Sequence, residues 1–260
     1  MAICLAPNLD LLFTEAGDVP QRVAAAADAG FDAVEFWTTS DRDVSEIARV
    51  AQDRGVRITS ILGEPRTDVT RPETDLTAYY DAFAASVDRA RALDCPQVVI
   101  AGSTGYMRMR RKEQLALVAD IYREAVERTA GSGVTLLFEN FNTRVDHPGA
   151  LLDNVADTIV VARAIASDRV GVLYDVYHSL VQGEDPAAAL SSGMDVIRAL
   201  QIADVPGRGE PGSGALDWRS LMSTIAASGY DGAIGLEFYP TGPTLESVRL
   251  IREVVDEMTL

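Results

Sequence analysis

Short apolar runs alternate with helical patterns from one end of this chain to the other, and that alternation leaves few folds open. The strand candidates are 3–6, 33–36, 57–62, 98–101, 134–139, 170–175, 196–202 and 233–238. They are short and often β-branched, as strands buried on both faces are. Helical patterns follow at 18–29, 44–54, 73–93, 111–130, 149–166, 186–191, 218–227 and 244–258. Gly30, Gly55, Gly131 and Gly229 come after helices, just before the next strand, where a left-handed cap is wanted. No low-complexity linker divides the chain. Eight units in 260 residues leave about 32 residues per unit, which predicts a single (β/α)8 TIM barrel over 1–260. A doubly wound open α/β sheet uses the same alternation, but eight units with no extra strand favour closure.

Composition narrows the function classes. The chain is 47% hydrophobic and 24% charged, enough for a substantial core. No apolar run is long enough to cross a membrane, and the N-terminus lacks the pattern of a signal peptide. Cys4 and Cys95 imply no disulfide framework and read as buried thiols, so a cytoplasmic enzyme is expected. A formal charge of −16 argues against nucleic acid as a partner, because no broad basic surface can form. Oligomeric state is left open, with room for a homo-oligomer.

Four polar residues close successive apolar runs in the second half: Glu139, Asp175, Gln201 and Glu237, spaced by 36, 26 and 36 residues. In a (β/α)8 barrel they fall at the C-terminal ends of strands five to eight, the face that carries chemistry. Polar groups at four matched positions predict a metal site better than four unrelated strand caps do. Three carboxylates and an amide oxygen suit a hard cation, Mg2+ or Mn2+, with a small hydroxy-carbonyl molecule as the substrate. Such a cation makes the carbon beside a carbonyl more acidic, and Glu139 and Glu237 are then the acid–base pair of a proton transfer through an enediolate.

Other residues fall around this rim. His178 follows Asp175 by three residues and is expected to meet a substrate oxygen. His147 reads as structural or surface. Arg208 lies in the Gly- and Pro-rich stretch "ADVPGRGEPGSGALDW", a binding loop in which a guanidinium grips a carboxylate or hydroxyls. Residues 207–212 formally spell G-x-G-x-x-G, but Pro211 removes an amide and no helix opens inside it, so a dinucleotide site is rejected. Glu35 reads equally as a support for the substrate and as a buried structural carboxylate. The run Arg108–Lys112 reads as a solvated basic patch, with an anionic substrate or a partner subunit as the sharper alternative.

The stretches "NLDLLF", "GFDAVEF", "YDVYH" and "LQIADVPGRGEPGSGALDW" resemble the hydroxypyruvate isomerase family of the xylose isomerase-like barrels. The resemblance spans nearly the whole chain. Its most specific mark is Gln201, where the related ketose 3-epimerases usually carry His. It implies metal binding by Glu139, Asp175, Gln201 and Glu237, proton transfer by Glu139 and Glu237, and substrate contact by His178 and Arg208. The implied reaction interconverts hydroxypyruvate and 2-hydroxy-3-oxopropanoate; a 2-oxo-tetronate or a ketose is the alternative substrate. The loops after strands three and four, "ILGEPRTDVTRPET" and "AGSTGYMRMRR", depart from the family pattern. A phosphodiesterase like the AP endonucleases of this superfamily is the reading from another class. Two histidines and the acidic charge oppose it.

Overall fold

Nine short parallel strands surround a central axis in the computed structural model, which describes residues 3–100 and 102–258. They are β1 (Cys4–Pro7), β2 (Ala33–Val34), β3 (Arg57–Ile58), β4 (Ile61–Leu62), β5 (Gln97–Ile100), β6 (Thr135–Glu139), β7 (Val170–Asp175), β8 (Ile197–Ile202) and β9 (Ala233–Leu236). Seven form one ladder in the order β1-β9-β8-β7-β6-β5-β4, and β2 pairs with β3. A parallel bridge between Asn8 and Glu35 joins β1 to β2, and Thr59 N–H donates to Val34 across the next gap. The curl is therefore a (β/α)8 barrel whose regular ladder covers only part of the circumference. The predicted strand 57–62 is one of the reasons. It breaks at Thr59–Ser60, where the Ser60 hydroxyl turns to donate to the Glu35 carboxylate at 3.2 Å. Ala101, the predicted end of strand four, lies outside the described residues.

Helices α1 (Val19–Asp28), α2 (Val44–Arg54), α3 (Leu76–Ala92), α4 (Arg111–Arg128), α5 (Val155–Ile165), α6 (Val176–Gln182), α7 (Pro186–Gly193), α8 (Trp218–Ala227), α9 (Thr244–Ser247) and α10 (Arg249–Met258) complete the units. Asp18, Asp43, Asp75 and Asp217 cap α1, α2, α3 and α8 by accepting backbone N–H groups of the first turn. Each satisfies an orphan donor and places negative charge at the positive end of a helix. Gly55 closes α2 at φ 67°, as the punctuation predicts.

Three helix expectations are corrected. The helix predicted over 149–166 starts only at Val155, because Gly149 takes φ +86° and Leu151 N–H is drawn to Ser103 at 2.8 Å. The helix predicted over 244–258 is divided at Val248. A short helix that the sequence reading missed, α6, starts directly on Asp175.

Strand alternation explains both the core and the site. Leu62, Val99, Leu137, Leu173 and Ala199 point into the barrel with Trp37 packed on them. Two residues further along, the same inner face carries Glu139, Asp175 and Gln201. Glu237 stands in the same relation to Gly235. An apolar plug thus fills the barrel below a polar rim, while the outer strand faces pack on the helices.

Candidate active site

Register brings the rim residues together. Glu139 lies opposite Leu173, Asp175 opposite Gln201, and Gln201 opposite Gly235. Glu139, Asp175, Gln201 and Glu237 are 9%, 1%, 5% and 6% exposed, so three carboxylates and an amide share one buried basin. His178 and Arg208 reach the same basin. The Arg208 guanidinium stands 3.2 Å from Glu237 Oε2 and 3.5 Å from Asp175 Oδ2, over the face of Tyr177. His178 Nε2 stands 3.4 Å from Asp175 Oδ2 and 3.7 Å from Glu139 Oε1. All six site residues expected from the sequence therefore converge.

Gln201 is oriented by its neighbours. Its Nε2 donates to Glu35 Oε1 at 2.7 Å, and Asn8 and Ser60 donate to the same carboxylate. The amide oxygen is left buried without a hydrogen-bond partner. Gly235 makes room for this arrangement, since a Cβ there would meet the Glu35 oxygens at 2.7 Å and Gln201 Cγ at 2.8 Å. Glu35 is thus buried and hydrogen-bonded, and it also lines the cavity and supports the basin by orienting Gln201. An unpartnered amide oxygen among carboxylates is a donor set that fits a hard cation.

His178 takes a defined tautomer. Asn142 Oδ1 accepts the backbone N–H groups of Val145 and Asp146, at 2.9 and 3.0 Å, which fixes the direction of its amide. Asn142 Nδ2 therefore donates to His178 Nδ1 at 2.6 Å. With Nδ1 accepting, the ring proton sits on Nε2 and points at the basin. Glu139, Asp175 and His178 do lie close enough for one ligand atom of each to surround an ion. A protonated Nε2, however, is a donor to oxygen and offers no lone pair to a metal.

The electrostatics follow from burial and crowding. Burial, Glu237 and Asp175 raise the Glu139 carboxyl well above its usual range, against Arg208. Burial lifts Glu237 to about 7, with Asp175 adding and with Arg208 and the Trp37 indole opposing. Burial likewise lifts Asp175 to about 6 despite Arg208. Burial opposes charge on Arg208, but Glu237, Asp175 and Glu139 outweigh it and hold the guanidinium protonated. Burial, Arg208 and His147 push His178 down to about 2, so it stays neutral.

Residues 23–254 match the family described as xylose isomerase-like TIM barrel. The chain belongs to that family. This xylose isomerase-like barrel is 28% identical over 250 residues to the hydroxypyruvate isomerase of Escherichia coli, covering 93% of the chain and 95% of the relative. It is also 28% identical over 249 residues to the 2-oxo-tetronate isomerase of Haemophilus influenzae, covering 92% and 95%. A crystal structure described as an AP endonuclease, family 2, from Brucella melitensis superposes with a TM-score of 0.86. It has 27% identity and covers 97% of the chain and 99% of that structure. The family is an enzymatic one, and the Escherichia coli and Haemophilus influenzae relatives are named isomerases.

The barrel's pocket also contains residues that the sequence reading missed or misplaced. A cavity of about 490 Å3 opens above the basin and is lined by Trp37, Arg66, Thr104 and His147 as well as the rim residues. His147, read as structural or surface, is a pocket residue. Its ring packs on Phe141 and His178, with centroids 4.7 and 5.1 Å away. The stretch 149–154 beside it forms a turn, a bridge from Ala150 to Thr104 and bends instead of helix. The Trp37 indole N–H donates to Glu237 Oε1 at 3.1 Å. "VEFW" places Trp37 at the end of an apolar run, the same signal that marked Glu139, but an aromatic there reads as core. The basic run behaves as a solvated patch: Arg108 is exposed, and Arg111 pairs with Asp153 and Asp157. No helix among the described residues is long and apolar enough to cross a membrane.

Proposed function

We propose that this barrel is a divalent-metal-dependent isomerase of a small hydroxy-carbonyl acid, with hydroxypyruvate and 2-hydroxy-3-oxopropanoate as the first substrate pair to test. The observation that carries this reading is Gln201. Its amide is held by Glu35 so that a bare oxygen joins three buried carboxylates. Glu139, Asp175, Gln201 and Glu237 would hold the ion, and an oxygen-only set favours Mg2+ or Mn2+ over zinc. When bound, such an ion polarises a carbonyl and makes the neighbouring C–H more acidic.

The chain's own residues supply the rest. One of Glu139 and Glu237 removes the proton from the hydroxyl-bearing carbon and the other returns one to the former carbonyl carbon, while the hydroxyl proton passes to the former carbonyl oxygen and exchange with solvent resets the two carboxyls. Burial raises both above the usual carboxylate range, Glu237 to about 7, which suits a group that both takes and gives a proton. The Trp37 indole holds Oε1 of Glu237 and the Arg208 guanidinium stands 3.2 Å from Oε2, which orients the carboxylate at the basin. The Nε2–H of His178 donates to a substrate oxygen as charge develops on it. The plug and the buried walls keep bulk water from the carbanion-like intermediate.

The names of the relatives support an acid of three or four carbons, hydroxypyruvate or a 2-oxo-tetronate, with a ketose next. The name of the Brucella structure suggests a phosphodiesterase. A single basin histidine, held in the donor tautomer, and a charge of −16 speak against a polyzinc site that grips nucleic acid. The test is chelation and repletion. Extraction with EDTA should abolish isomerisation, and Mn2+ or Mg2+ should restore it. Crystals grown with Mn2+ should show an anomalous peak among the four oxygens. Full activity in the extracted protein, or a peak elsewhere, would refute the site.

A further inference from the structure

Arg66 extends into the cavity mouth from the loop after β4, one of the two loops that depart from the family pattern. That loop is held at both of its ends. Glu64 accepts from the backbone N–H groups of Thr39 and Ser40, both at 3.0 Å. Asp68 accepts from Thr104 N and Oγ1, at 2.7 and 2.8 Å, which ties it to the loop after β5. Arg71 adds a donor to Thr104 Oγ1 at 2.6 Å. Between these anchors the Arg66 side chain is exposed and makes no ion pair or hydrogen bond with any described residue. An unpaired guanidinium on a pinned loop, lining a pocket, is available to a ligand.

The pocket's charge pattern says which ligand. Three carboxylates on the floor are matched in charge by a divalent ion and Arg208, so the negative charge of an acid substrate calls for a further cation. The other pocket arginine, Arg208, is already engaged by Glu237 and Asp175. Arg66, His147 and Arg208 line the same cavity. Cavity volume points the same way. About 490 Å3 falls inside the range of roughly 300–1,000 Å3 usual for drug-sized ligands, more than a three-carbon acid fills. A hydroxy-carbonyl acid held over the floor lies in the same cavity that Arg66 lines.

We propose that Arg66 is the residue that recognises the substrate's carboxylate, and that it selects hydroxy-carbonyl acids over uncharged ketoses. The assignment rests on the isomerase reading for the placement of the reacting carbons, and it replaces Arg208 as the carboxylate clamp. Arg208 then serves as the internal cation that lets three carboxylates be buried together. Its link to the acid is indirect.

The test uses a matched pair, hydroxypyruvate and dihydroxyacetone, which differ in a carboxylate against a hydroxymethyl group. Each is titrated by calorimetry into the Mn2+-treated wild-type protein, Arg66→Ala and Arg66→Lys. Solvent deuterium exchange is followed in parallel. The wild-type protein should prefer the acid. Arg66→Ala should lose about tenfold in affinity for hydroxypyruvate, the low end for a hydrogen bond to a charged group, with dihydroxyacetone binding unchanged. Arg66→Lys should recover part of the loss. An equal preference for the acid in Arg66→Ala, or none in the wild-type protein, would overturn the assignment. Arg66-dependent binding without deuterium exchange would leave the anion site standing and remove the isomerase reading. Exchange with an unaltered acid preference in Arg66→Ala would do the reverse.

Discussion

Asn142 decides what His178 is able to do. Two backbone N–H groups fix its amide oxygen, and the amide nitrogen fixes the imidazole tautomer. An aspartate at this position still accepts from Val145 and Asp146 but has no proton for Nδ1. The ring proton then moves to Nδ1, and Nε2 faces the basin as a lone pair. Asn142→Asp is expected to lower kcat by about tenfold or more, within the range of a lost acid–base contact, with the 15N shifts of His178 reporting the tautomer change. Unchanged shifts together with unchanged kcat would break the link. Glu139, Asp175, Gln201 and Glu237 were legible in the sequence because each ends an apolar run, and strand alternation leaves little freedom in where such a residue points. Asn142, His147 and Arg66 were not legible. They stand on loops, where side-chain direction depends on hydrogen bonds to segments distant in sequence. Trp37 was hidden by its chemistry, since an indole after a strand serves the core as readily as it serves a carboxylate.

At the scale of elements, the loop between β8 and α8 shows how a Gly- and Pro-rich segment becomes rigid. Asp204 is fully buried and accepts from Gly212 N–H at 2.7 Å, Leu216 N–H at 3.2 Å and the Trp218 indole at 2.9 Å. Arg208 is held further by its carbonyl, which accepts from Tyr239 N–H at 2.8 Å. This explains how Arg208 keeps φ 55°, an uncommon conformation for a residue with a Cβ. Asp204→Ala strands several buried donors at once. It should destabilise the protein by about 3 kcal/mol, read as a loss of Tm, and should weaken activity through Arg208. A variant with wild-type Tm would show that the loop does not depend on Asp204. Asp204 lies in "QIADVPGRG", two residues past the strand, and nothing in its spacing separates it from a solvent-facing turn aspartate. The alternation of apolar runs placed all eight units correctly. It failed where side chains compete with the ladder: Ser60 breaks the third strand, and Gly149 delays the fifth helix by six residues.

For the molecule as a whole, the barrel concentrates buried carboxyls on its axis. Burial and the nearby Glu237 raise Glu35 from 4.5 to about 8, while Glu237 and Asp175 reach about 7 and 6. A carboxyl with a raised folded pKa holds its proton in the native state while the unfolded chain has released it. Stability is therefore full below about pH 4.5 and is lost as pH rises through the folded values. The metal-free protein should melt lower at pH 8 than at pH 5, by an amount on the order of several kcal/mol. Mn2+ requires the ionised ligands, so its stabilising effect should grow across the same window. Scanning calorimetry at both pH values, with EDTA and with Mn2+, measures this; a metal-free Tm that rises with pH would contradict the burial of these groups. The most direct test of the proton-transfer account is deuterium incorporation from D2O into hydroxypyruvate by the Mn2+-treated wild-type protein, Glu139→Gln and Glu237→Gln. The wild-type protein should exchange the C3 protons and convert the substrate; net conversion should fall by at least about a hundredfold in both variants, and C3 exchange should fall likewise in at least one, the fold being kept. Conversion at the wild-type rate in either variant, or C3 exchange at the wild-type rate in both, would contradict the assignment of Glu139 and Glu237 as the pair that moves the proton.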